Sequence, residues 1–238
     1  MTSLESADAA IACLKTSLST KLDLGGLYAR NPTAHKWKAP YRSLQLREVV
    51  YWRMLDLLDQ SLSLHKIDHA LGARILLRSA LETLAILIYL NQSMEMVLNG
   101  KIVDFHAFST KTEALMLGSK DGSTPFKAIS ILTVLDGCEK KYVGIRSLYE
   151  RLCESAHPNC EGMSMGYAAI DQENLVVEFK NRWTEKYAAA LPDHIMTCIE
   201  IFTHEYNKVW EEAFEKLEAW IKANDEMLEA TKSAPAKG

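Results

Sequence analysis

An all-α fold is predicted: a multi-helix bundle around one central apolar helix, with one short β-hairpin and a long C-terminal helix. Three observations predict it. Residues 69–98 carry Leu71, Ile75, Leu76, Leu77, Leu81, Leu84, Ile86, Leu87, Ile88 and Leu90 on nearly every side, and a helix apolar all round is a buried one. Elsewhere apolar residues recur mainly at helical spacing. Only 167–170 and 175–179, joined by the polar 171–174, read as paired strands. The expected organisation is one helical domain over 1–231: an N-terminal helix and loop at 1–42, a core bundle at 43–160, the hairpin at 167–180 and the long helix at 191–230. A disordered tail is expected at 232–238.

In chain order, Thr2 and Glu5 have capping-box spacing, and Ala9, Ile11, Leu14, Leu18 and Leu22 continue a first helix until Gly25 and Gly26. The stretch 27–40, with its Asn-Pro and Ala-Pro pairs, reads as a loop. Its His35, Lys36, Trp37 and Lys38 either stack on a base or ligand or pin the loop to the domain. From Ser43, the residues Leu44, Val49, Trp52, Leu55, Leu58 and Leu62 form an amphipathic stripe. His65 and His69 lie one turn apart if the helix runs through Asp68, the spacing of a two-histidine metal pair; Asp68 can equally cap the next helix. No further ligand is near, and no metal is expected.

Within the central helix, Arg78, Glu82 and Tyr89 fall on one stripe, within about 40° of each other at about 100° per residue. Charges in a buried helix must be paired or hydrated, so Arg78 and Glu82 form either an internal ion pair or the floor of a polar cleft. Asn99 and Gly100 end the helix, and 103–117 resumes with Phe105, Phe108, Ala114 and Leu115. The glycines that follow lack phosphate-loop spacing. Thr124 and Pro125 offer an N-cap and N1 proline for a helix with Ile129, Leu132 and Leu135. Another helix covers 147–156, and small residues to Gly166 read as a loop. Pro192 and Asp193 fit the first turn of the last helix, packed through Ile195, Ile199, Phe202, Tyr206, Val209, Phe214, Leu217 and Trp220. Helices of that length are a common route to pairing two subunits.

The 238 residues, 48% apolar and 24% charged, suffice for a real core. A net charge of −4 and a pI near 6.0 argue against a strong non-specific grip on nucleic acid, while leaving room for a local basic groove. Five cysteines, none in a close CxxC pair, fit free thiols in a reducing cytosol. The N-terminus lacks a secretory n-region and reads as mature sequence. The run 75–90 is shorter than the roughly 20 residues that span a bilayer and is interrupted by Arg78 and Glu82. A cytoplasmic protein with no membrane segment and no cofactor is expected.

The best candidate site lies in 147–159, Ser-Leu-Tyr-Glu-Arg-Leu-Cys-Glu-Ser-Ala-His-Pro-Asn. The residue before proline is pushed out of the helical region, so Pro158 places His157 at a helix exit, its ring free to face a cleft. The same residues also make an ordinary helix stop. Arg151 and His157 are the candidate catalytic pair; Arg78, Glu82, Tyr89, Tyr149, Glu154 and Asn159 are the candidate cleft residues. Glu154, three residues before His157, is placed to orient the imidazole. A di-iron carboxylate bundle would need two Glu-x-x-His motifs, and only Glu154 to His157 has that spacing.

Arg151 and His157, separated by five residues, satisfy the loose arginine-to-histidine spacing of the HEPN superfamily. The chain is similar to that group also in its central apolar helix with a polar pair, Arg78 and Glu82, followed by Arg and His on a later helix. The resemblance covers roughly 43–159 and part of the last helix. Two features depart from it: Leu152 is apolar where nuclease members often carry a polar residue, commonly Asn, and Pro158 follows the histidine. The resemblance implies a homo-oligomer and one of two functions. The first is a non-catalytic module binding nucleotide, RNA or a protein partner. The alternative is a metal-independent endoribonuclease in which His157 moves a proton from the 2′-hydroxyl, Arg151 stabilises phosphate charge, and the two His157 sites of a dimer approach each other.

Overall fold

The protein is described by a computed structural model covering residues 2–232. It is all-α and 74% helical, with one antiparallel two-stranded hairpin. Twelve α-helices occur among the described residues: α1 (Ser3–Thr16), α2 (Leu24–Arg30), α3 (Pro32–His35), α4 (Lys38–Lys66), α5 (Ala70–Leu98), α6 (Ile102–Leu117), α7 (Ile131–Glu139), α8 (Ile145–Ala156), α9 (Trp183–Tyr187), α10 (Leu191–His204), α11 (Trp210–Ala223) and α12 (Asp225–Ala230). Strands β1 (Ala168–Asp171) and β2 (Val176–Phe179) form the hairpin. The chain divides into two compact units, one holding residues up to 18, 51–85 and 135–202, the other 19–50, 86–134 and the chain from 203. Helices α4 and α5 each contribute to both.

In the first unit, α1 begins with the expected capping box: Thr2 Oγ1 accepts from Glu5 N, and Glu5 accepts from Thr2 N. It is tied to α4 by Tyr51, whose hydroxyl donates to Leu14 O at 3.0 Å, and by Lys15 to Asp59 at 2.8 Å. Ser61 Oγ on α4 donates to Ala73 O on α5 at 2.8 Å, a buried link between the two helices. The central helix is buried over most of its surface, with Ala73, Leu77, Ala80, Leu81, Leu84 and Ala85 in this unit's core, while Ile75, expected inside, is exposed. Helix α8 buries Ile145, Leu148, Tyr149 and Leu152 on one stripe, which leaves Glu150, Arg151 and Glu154 on its exposed face.

Below the hairpin, Trp183 is buried between Tyr167 and Tyr187, at ring distances of 6.4 and 4.9 Å. Gly166 passes so close that an added Cβ would lie 2.5 Å from the indole Nε1, so no larger residue fits there without a shift. Two backbone bonds, Lys180 N to Tyr167 O and Arg182 N to Gly166 O, each 2.9 Å, extend the strand pairing down to this base.

In the second unit, Trp37 is an anchor. Its ring is buried edge-on to Phe105 at 5.5 Å, and its Nε1 donates to Asp225. His35 Nε2 meets Glu218 at 2.6 Å, where Arg30 also binds, and Phe105 stacks on Trp220. Buried Asn91 donates from Nδ2 to the Glu205 carboxylate at 2.7 Å, beside a π-helical stretch, Glu205–Val209.

Several boundaries differ from the sequence reading. Helix α1 stops at Thr16, and Gly25 and Gly26 lie inside α2, because Asp23 caps it by accepting from Gly26 N; one good N-cap outweighs poor glycine propensity. The expected loop at 27–40 holds α2, α3 with Pro32 at its start, and the first turn of α4. Thr124 does not cap a helix. Its hydroxyl closes the 118–127 loop by bonding to Leu117 O and Ser119 Oγ, and α7 starts only at Ile131. Residues 160–165 are a π-helical turn. The last helix is interrupted at Asn224, so the stretch from Leu191 runs to Ala223 and α12 follows separately. Of the expected tail, all but Lys232 lies outside the described residues.

Candidate functional site

Two turns of α5 face one face of α8 in the first unit, and polar side chains meet there. Arg78 and Glu82 are an i,i+4 pair on α5, and Tyr149 and Cys153 are an i,i+4 pair on α8, so each pair projects from a single face. Arg78 Nε donates to Cys153 Sγ at 3.1 Å, and its Nη2 donates to Tyr149 Oη at 2.9 Å. Nη2 also lies 3.1 Å from Glu82 Oε1, and Tyr149 Oη donates to that same oxygen at 2.9 Å. The result is a closed ring of arginine, tyrosine and glutamate. The Arg78 and Glu82 side chains keep 25% and 27% of their surface in water, so the pair forms a wet polar surface rather than a dry internal bridge.

Electrostatics follow from this geometry. Partial burial alone would lower the Arg78 pKa, but the hydrogen bonds to Cys153 and Tyr149 and the charge of Glu82 outweigh it, and the net shift is upward. Burial is the largest influence on Tyr149, whose phenol is pushed up to about 12, so the ring stays protonated and remains a donor to Glu82 at neutral pH.

One turn earlier on α5, Arg74 makes a second cluster that is drier, with 9% of its side chain exposed. Its Nε donates to Ser155 Oγ at 2.7 Å, and its Nη2 donates to the Arg151 carbonyl at 3.1 Å. Ser155 Oγ in turn donates to Glu161 Oε1 at 2.7 Å, and that carboxylate lies 3.6 Å from Arg74. The guanidinium sits over the Tyr187 ring at 5.0 Å. Burial draws the Arg74 pKa down, partly offset by Glu161. His194, half-buried on α10, is depressed first by burial and then by the positive charges of Arg151 and Arg74; its Nδ1 is buried without a hydrogen-bond partner among the described residues.

His157 is the C-cap of α8, with extended backbone (φ −96°, ψ 147°), the conformation expected before Pro158. Its N–H donates to Cys153 O at 3.1 Å, and its exposed imidazole makes no side-chain hydrogen bond among the described residues. Arg151 is exposed on the outer face of α8, where Nη1 donates to Ser147 Oγ at 3.2 Å. Glu154, placed by spacing to orient the imidazole, accepts from Asn159 Nδ2 at 2.5 Å instead. Asn159 Oδ1 accepts from Gly162 N and caps the π-helical turn. Gly162 approaches so closely that an added Cβ would fall 1.9 Å from His157 O, so no larger residue fits there without a shift.

Of the residues singled out in the sequence, Arg78, Glu82 and Tyr149 come together, and Glu154 and Asn159 pair beside His157. Tyr89 belongs to the second unit, where Lys111 lies over its ring at 5.7 Å. Arg74 escaped the reading although it is four residues before Arg78 on the same stripe, a signal present in the sequence. Nothing local pointed to Glu161 or His194. Helix α4 ends at Lys66, and Asp68 takes a left-handed conformation (φ 61°), so His65 and His69 do not share a helical turn. No group of three or more His, Cys, Asp or Glu residues among those described is arranged to hold a metal ion.

A cleft of about 420 Å³ opens in the second unit, lined by Lys36, Trp37, Lys38, Arg42, His106 and Lys232 among others. Most of its cations are committed to carboxylates: Lys36 to Asp225 and Glu229, Arg42 to Glu113 and Lys232 to Glu229. No helix among the described residues is long and apolar enough to cross a membrane. No family model matches the chain, and neither a curated protein nor a solved structure matches it.

Proposed function

We propose that this chain is a non-catalytic helical module of HEPN-like type, which binds a nucleotide, RNA or a protein partner at the polar face shared by α5 and α8. The observation that carries the reading is the commitment of Arg78. Its Nε and Nη2 are spent on Cys153, Tyr149 and Glu82, which fixes a rigid and partly hydrated surface suited to recognition. A guanidinium so engaged is poorly placed to take up charge developing on a phosphate, a role that in the enzyme alternative falls to Arg151 instead. The two arginines of the face are balanced by Glu82 and Glu161, and this balance favours a protein partner or a nucleobase edge over a polyphosphate chain. As the resemblance implies, the module is a homo-oligomer; it works in the cytoplasm without a cofactor.

The alternative, a metal-independent endoribonuclease, draws support from the exposure of both Arg151 and His157. A labelled oligoribonucleotide incubated with the protein in EDTA separates the two. The module reading expects the RNA to stay intact and any retention of it to weaken in Arg78→Ala. Cleavage abolished by both Arg151→Ala and His157→Ala would replace it with the enzyme.

A further inference from the structure

The hairpin carries an apolar face that nothing among the described residues covers. Its register pairs Ala168 with Phe179, Ala169 with Glu178, Ile170 with Val177 and Asp171 with Val176. Directly opposed residues of an antiparallel pair share a face and faces alternate along each strand, so Ala168, Ile170, Val177 and Phe179 lie together on one side. That side has no polar side chain, while the other carries Asp171 and Glu178. The apolar side is nevertheless in water: Ile170 is 72% exposed, Val177 47% and Phe179 81%.

The tip repeats the pattern. Leu175 is 90% exposed and adopts φ 55°, a left-handed conformation usually left to Gly or Asn. The turn before it is rigidly built, with Asp171 Oδ1 accepting from Glu173 N and Asn174 N and its Oδ2 accepting from Asn174 Nδ2. An exposed leucine held there gains nothing inside one chain. A two-stranded hairpin is marginal by itself, and the support it has here, the Trp183 layer, lies at its base while Ile170 and Phe179 stay exposed.

We infer that the covering layer is the same hairpin of a second copy of this chain, packed about a two-fold axis. At roughly 150 to 200 Å² per large apolar side chain, Ile170, Leu175, Val177 and Phe179 expose on the order of 500 Å². Two copies then bury about 1,000 Å², the lower bound for a specific interface. An uncharged face is the kind that meets its own copy without a like-charge penalty, since a two-fold contact sets each residue near its equivalent. The opposite face, with Asp171 and Glu178, would repel its copy. With a net charge of −4 per chain, the contact should be a weak dimer that tightens with salt. The inference does not depend on what the α5 and α8 face binds, and the surface is not the last helix.

Light scattering coupled to size exclusion, from about 1 to 100 µM, tests it, with hydrogen exchange of residues 168–179 at both ends of the range. The expected result is a concentration-dependent doubling of mass with matching protection of the hairpin amides. Ile170→Lys and Phe179→Lys should each raise the dissociation constant at least tenfold with unchanged circular dichroism, while Val176→Lys on the other face should have a smaller effect. A protein monomeric at every concentration would overturn the inference, as would a dimer indifferent to both face variants. A monomer that binds phosphatidylcholine vesicles through Phe179 would overturn it in favour of a lipid surface.

Discussion

Replacing Arg74 by alanine should be the most damaging single change in the polar face, and the structure sets its size. The substitution removes a charged donor from Ser155 at 2.7 Å and from the Arg151 carbonyl at 3.1 Å, two charge-assisted hydrogen bonds that contribute about 1.5 kcal/mol each. It also leaves Glu161 without its neighbouring cation and opens space beneath Tyr187. Because Ser155 still donates to Glu161, the carboxylate is not wholly abandoned, and the total loss comes to about 3 to 4 kcal/mol. Glu82→Ala is the built-in comparison. It breaks an ion pair that is one quarter hydrated and one phenol hydrogen bond, while Arg78 keeps Cys153 and Tyr149, so about 1 to 2 kcal/mol is expected. Urea unfolding followed by helical circular dichroism measures both, with m-values checked for equality. An Arg74→Ala loss no larger than that of Glu82→Ala would refute the division into a dry and a wet cluster.

Two further outcomes concern the histidines that burial depresses and the π-helical turn at 160–165. His194 and His65 are both held below the ordinary histidine value of 6.5 by burial, so the unfolded chain takes up their protons first. Their stabilisation is complete above about pH 6.5 and is lost as the pH falls through the depressed folded values; unfolding free energies measured across that window should decline less in His194→Gln than in wild type. Gly162→Ala would force a methyl against the His157 carbonyl, which should cost about 1 to 3 kcal/mol and speed amide exchange across 160–165, measured by mass spectrometry.

What the sequence made legible was mostly local. Helix α5 announced itself because it is apolar on nearly every side, and the meeting of Arg78 and Glu82 followed from their shared stripe and the cost of leaving a buried charge unpaired. The hairpin was visible as two short strand-like runs about a polar turn. The conformation of His157 was legible because Pro158 constrains its neighbour whatever the tertiary context. Errors arose where two local signals competed: Asp23 as a cap prevailed over Gly25 and Gly26 as breakers, and Thr124 closed its loop rather than starting a helix. Glu161 and His194 reach Arg74 only through tertiary packing, from a π-helical turn and from α10. No spacing within the sequence encodes that approach.

The central claim, that the α5 and α8 face recognises and does not cleave, is tested most directly by the fate of RNA held with wild-type protein in EDTA and resolved over hours on a denaturing gel. Intact RNA, with identical lanes for wild type and His157→Ala, is the predicted result. Fragments that accumulate with wild type and vanish with His157→Ala would contradict it.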